Sequence, residues 1–142
     1  MNASPTDRER RVDPFSTAIA DVLQLLGRLA IAPIFLLSGI AKITDPQEFV
    51  PYIASSGLPL PAVALGMAIL IELIGGALIV IGYKTRTVAA ILAVFTLTTA
   101  VVFHINLSDQ TQFALFWKNI AMAGGLLQIV ALGAGRWSLD YS

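Results

Sequence analysis

The chain has 142 residues, enough for one domain, and is 56% hydrophobic with only 13% charged residues, against about 25% charged in ordinary soluble domains. So apolar a composition excludes a disordered chain, and the balance of nine basic against nine acidic residues removes the electrostatic motive for nucleic-acid binding. With no cysteine there is no disulfide, thiolate metal site or thiol redox chemistry, and the single histidine excludes a haem held by two histidines of one chain.

Residues 1–19 form a polar tail in which Arg8, Arg10 and Arg11 alternate with Asp7, Glu9 and Asp13. Beyond it, charges are spaced so widely that four stretches of about 20 apolar residues remain, each long enough to cross a bilayer. The predicted spans are 20–43, 60–82, 86–107 and 112–134, followed by a short tail at 137–142. The predicted fold is therefore all-α: a polytopic membrane protein built as a four-transmembrane-helix bundle. Pro33 lies inside the first span, where it removes a backbone donor and predicts a kink. The 44–59 connection opens with Asp45-Pro46-Gln47-Glu48, a helix start with Asp as cap and Pro at the first position. Phe49, Tyr52 and Ile53 follow at helical spacing, and Pro51 predicts an early end to this interfacial helix. Pro61 suits the first turn of the second span, and Gly82 its C-terminal cap. Asp109 and Gln112 read as a variant capping box that opens the fourth span, which Gly133 and Gly135 close.

Six basic residues (Arg8, Arg10, Arg11, Lys84, Arg86, Arg136) flank the spans on the side of the N-terminal tail. Only Lys42 and Lys118 flank them on the other. The positive-inside rule then places both termini in the cytoplasm. Ionisable groups inside the spans are the most informative residues, because each costs about 3 kcal/mol at mid-depth unless paired or facing a cavity. Counting from the predicted span ends puts Arg28 about 12 Å in from one face and Glu72 about 18 Å in from the other, which predicts a buried Arg28–Glu72 pair. Lys42, His104, Lys118 and Asn119 fall in the outer third. Together with Arg28 and Glu72 they make a candidate polar seam for a small ligand, although Lys42 and Lys118 also have the length to snorkel to the interface.

The stretches Gly27-Arg28-Leu29, Leu37 to Ile43 with Asp45-Pro46, and Gly57-Leu58-Pro59-Leu60-Pro61 carry a family likeness by their order and spacing. So do Glu72-Leu73-Ile74-Gly75-Gly76, Lys84-Thr85-Arg86, His104, Lys118-Asn119 and the ending Gly133 to Asp140. Over residues 22–140 the sequence resembles the DoxX family. The resemblance implies a four-helix fold in a bacterial-type inner membrane, and an association with quinone-linked or other membrane oxidoreductases.

Three functional readings stay open at this stage. The first is an accessory oxidoreductase subunit with no intrinsic cofactor whose seam binds a quinone, where His104 and Lys118 donate hydrogen bonds and Glu72 relays a proton. The second is a non-catalytic scaffold that holds a membrane complex together through glycine-rich helix faces and the 44–59 loop; a homo-oligomer of the chain stays open as well. The third is a small-molecule transporter. No phosphate-binding loop, metal cluster or Ser/His/Asp arrangement is present, so a self-sufficient enzyme is not expected.

Overall fold

Among the described residues, proline at the first helical position starts three of the five α-helices, where its missing N–H costs nothing and its fixed φ suits the helix. The computed structural model describes residues 13–141, so the predicted tail arginines Arg8, Arg10 and Arg11 lie outside the described residues. The elements are α1 (Pro14–Thr44), α2 (Pro46–Ser55), α3 (Pro61–Ile81), α4 (Thr85–Phe103) and α5 (Gln110–Leu132), with a 3₁₀ turn at Leu139–Tyr141. Helices α1, α3, α4 and α5 are long and apolar enough to cross a membrane, and the fold is the all-helical four-span bundle read from the sequence. Large apolar side chains such as Leu37, Met67, Leu70 and Val94 point outward, as they do where lipid is the solvent.

Helix α1 begins six residues before the predicted boundary and runs unbroken across Pro33. Its 31 residues extend about 46 Å, well beyond a hydrocarbon core of about 30 Å. Helix α2 likewise continues through Pro51 to Ser55 and does not end at the proline; the Asp45 carboxylate caps it by accepting from the Glu48 N–H at 3.3 Å. One end of the bundle, here the termini end, carries the end of α3, the start of α4, the end of α5 and the C-terminal residues. The opposite loop end carries α2, the start of α3 and the turn between α4 and α5.

Packing is closest within two pairs, α1 with α3 and α4 with α5. Gly76 lets the first pair approach: a Cβ there would lie 2.9 Å from Leu36 and 3.4 Å from the Ala32 carbonyl. The core, formed by Ala32, Phe35, Ile79, Ala89, Leu92, Ala93, Leu126 and Ile129, is drawn from all four spans.

Candidate functional site

The cavity at the loop end has a volume of about 490 Å³. Its walls are mostly apolar and aromatic, with Phe49, Tyr52, Phe95 and Phe103 among them, and Phe35 joins it to the core. The polar lining comprises Ser38, Lys42, Glu72, Thr96, Thr98, Thr99, His104, Lys118 and Asn119. Five of the six predicted seam residues therefore share one cavity; Arg28 is not among them.

Glu72 is 5% exposed and pairs with Lys42, whose Nζ lies 3.0 Å from Oε2. Nζ also donates to Oε1 at 3.2 Å and to the Ser38 hydroxyl at 2.6 Å, and that hydroxyl donates to Oε1 at 3.1 Å. The sequence reading paired Glu72 with Arg28, and the structure corrects it. Glu72 lies opposite Gly39, where an added Cβ would come within 3.4 Å of the Glu72 Cβ. Arg28 is eleven residues earlier on α1, about 16 Å nearer the termini end. Side-chain lean acts in the same direction. A helical side chain tilts toward the N-terminus of its own helix. On α1 this turns Lys42 inward and Arg28 away from Glu72, while on the antiparallel α3 it turns Glu72 toward Lys42. Lys42 is thus held inside the bundle by an ion pair and does not snorkel outward.

Lys118 of α5 also lines the cavity but is exposed, as its length to snorkel allows, and has no hydrogen bond or carboxylate partner among the described residues. Its neighbour Asn119 is buried and donates from Nδ2 to the Thr99 hydroxyl at 3.4 Å; that hydroxyl donates in turn to the Thr96 carbonyl. His104 Nδ1 is 2.7 Å from Gln112 Oε1. This revises the capping box at α5. Asp109 accepts from the Gln112 N–H at 2.9 Å as expected, but the Gln112 side chain turns to His104 rather than back to Asp109. The threonines of α4 and the α2 aromatics were missed as site residues. Nothing in the sequence singles out Thr96, Thr98 and Thr99 within their span, and only the fold brings Tyr52 against Phe103, ring to ring at 5.4 Å.

Arg28 builds a different structure. It is fully buried and donates from Nη1 to the Ile79 and Val80 carbonyls at 3.0 and 2.8 Å, and from Nη2 to the Trp137 carbonyl. These satisfy carbonyls at the end of α3 that have no helical partner. Gly82, in the left-handed region at φ +72°, caps that helix where Arg28 and Ser138 leave no room for a Cβ. Residues 133–141 form a strap over this end. The Asp140 N–H donates to the Gly82 carbonyl at 2.8 Å, and the Asp140 carboxylate accepts from the Lys84 and Thr85 N–H groups at 2.6 and 2.8 Å, capping α4.

Burial pushes the Asp140 carboxyl up, but the nearby Thr85 hydroxyl, the Thr85 and Lys84 amide donors and the Arg28 charge prevail and hold it below the usual carboxylate range. The unfolded chain then takes up this proton more readily than the folded one. The cap's contribution is full above the ordinary aspartate value of about 3.9 and is lost as pH falls through the lowered value. Thermal unfolding in detergent will show wild-type stability falling on acidification below about pH 4, and Asp140→Asn will flatten that slope.

The chain matches the DoxX family over residues 23–105. It is similar to inner membrane protein YphA of Escherichia coli (strain K12), with 37% identity over 129 residues, 87% of this chain and 91% of the relative. It is also similar to inner membrane protein YqjF of the same strain, with 35% identity over 122 residues, 86% of this chain and 92% of the relative. No solved structure matches it.

Proposed function

The chain belongs to the DoxX family, and on that footing we propose that it is an inner-membrane protein whose loop-end cavity holds the head group of a quinone, or of a ligand of the same shape and polarity, as an accessory subunit of a membrane oxidoreductase. Supporting the location are the names of the two relatives and the four apolar helices. Supporting a cytoplasmic placement of both termini is the position of Lys84, Arg86 and Arg136 at the termini end, against Lys42, neutralised by Glu72, and Lys118 at the other.

The observation that carries the reading is an aromatic-walled cavity of about 490 Å³ that holds the buried Lys42–Glu72 pair and is also lined by Lys118, an exposed cation without a hydrogen-bond or carboxylate partner among the described residues. Such volumes suit small ligands, bound by apolar walls and oriented by a few polar groups. A quinone presents two carbonyl acceptors on a flat ring. Lys118 and the Asn119 amide are donors for them, and Tyr52, Phe95 and Phe103 give the ring faces to pack on. When bound, the quinone supplies the electron-accepting chemistry. The residues of this chain orient it and exclude water, and Glu72, with Lys42 as counter-ion, offers a carboxylate for a proton.

Native mass spectrometry of the protein released gently from its own membrane tests this reading. The expected result is one quinone per chain, with occupancy reduced about tenfold or more by Lys118→Met, since a hydrogen bond to a charged donor is worth about 1.5–3 kcal/mol. A chain without ligand in fixed ratio with another subunit would instead support the scaffold role.

A further inference from the structure

At the termini end, on the far side of the core from the cavity, α1, α4, α5 and the strap enclose an open hollow of about 780 Å³. Three cations line it: Lys84 and Arg86 from the start of α4, and Arg136 from the strap. None has a carboxylate within ion-pair distance among the described residues. Two carboxylates also line the hollow, but both are engaged by backbone. Asp140 accepts from the Lys84 and Thr85 amides, and Asp21 accepts from the Arg136 N–H at 3.0 Å. The fold thus spends these acidic groups on backbone donors and leaves the basic side chains without a carboxylate; Lys84 Nζ lies over the Tyr83 ring, 5.8 Å from its centroid. Arg86 is further constrained: its guanidinium lies across Gly133, where an added Cβ would stand 3.2 Å from Nε. The exposed rings of Tyr83, Trp137 and Tyr141 surround this end, the residue types that settle at the headgroup level of a bilayer.

We propose that this hollow seats the phosphate of an anionic phospholipid, held by the Arg86 and Arg136 guanidinium groups with Lys84 beside them. A planar guanidinium matches two phosphate oxygens at once, and Arg86 in the first turn of α4 and Arg136 just beyond α5 stand where these two apolar helices end. The seat is independent of the cavity and of any ligand there.

The test extracts the full-length protein from vesicles of equimolar phosphatidylglycerol and phosphatidylcholine and counts retained lipids by native mass spectrometry. One phosphatidylglycerol per chain is expected. Arg86→Gln and Arg136→Gln should each lower its retention about fivefold, the effect of removing one basic residue near a membrane surface. Arg86→Lys, which keeps the charge but loses the fork, should fall between, with thermal unfolding confirming that each variant is folded. Replacing Arg8, Arg10 and Arg11 together by Gln removes more charge from the N-terminal tail and should leave retention unchanged. Equal loss from that triple change would mean diffuse attraction to the membrane and would overturn the proposal. Unchanged retention in the Arg86 and Arg136 variants would overturn it too. So would inorganic phosphate that occupies the hollow as well as the lipid does, which would make it a site for a soluble anion.

Discussion

Replacing Glu72 alone by Leu will destabilise the protein by about 3–5 kcal/mol, the cost of stranding one partner of a buried ion pair. The remaining Lys42 ammonium sits inside the bundle with the Ser38 hydroxyl as its nearest polar neighbour, and its lean along α1 directs it inward, away from the interface. Replacing Lys42 alone by Met strands the carboxylate in the same way. The double variant Lys42→Met/Glu72→Leu removes both charges and restores apolar packing, so it should recover most of the loss. Thermal unfolding in a mild detergent, read as a double-mutant cycle, measures this. If the two single losses simply add, the pair is not coupled as the geometry requires. The double variant also separates stability from binding, because it should fold while its cavity has lost the carboxylate.

The second large effect is at Arg28. Changing it to Leu removes three hydrogen bonds from a charged donor and leaves the buried carbonyl of Ile79 and the part-buried carbonyls of Val80 and Trp137 without it, for a loss of about 3 kcal/mol or more. The strap should loosen with it. Limited proteolysis is expected to cleave between Gly133 and Asp140 in the variant and not in the wild type. Arg28→Lys keeps the charge but cannot bridge three carbonyls from one planar group, so it should lie between the two. A strap equally protected in Arg28→Leu would show that Asp140 and the Asp21 contact hold it unaided.

The bundle itself was legible because the bilayer imposes a length and a polarity that few other folds share. The grouping of Lys42, Glu72, His104, Lys118 and Asn119 was legible for the same reason: polar groups in an apolar span converge on a cavity or on each other. The pairing was not. Depth was counted from where charges thin out, and α1 stays apolar through Ile19, Val22, Leu23 and Leu26 while still outside the level of α3. That error shifted the register by about three turns and brought Arg28 level with Glu72 on paper. Side-chain lean, which decides whom a long residue can reach, does not show in spacing alone. The strap was also hidden, since the ending Gly133 to Asp140 reads as a polar tail until Arg28 and the start of α4 are in place to receive it.

The two tight helix pairs each fasten themselves. Lys42 and Arg28 tie α1 to α3, while the His104–Gln112 and Asn119–Thr99 contacts tie α4 to α5. Polar ties from one pair to the other, from Gln24 to the Leu132 carbonyl and through the strap, gather at the termini end. At the loop end the pairs meet through apolar side chains and the Tyr52–Phe103 ring stack. The molecule is therefore a pair of leaves bound along one edge. Spreading the free edge exchanges protein–protein van der Waals contact for lipid contact of similar strength, whereas spreading the bound edge breaks hydrogen bonds that hydrocarbon cannot replace. Compliance is concentrated where the cavity lies, so the mouth can widen for a bulky guest while the spine keeps the four helices in register.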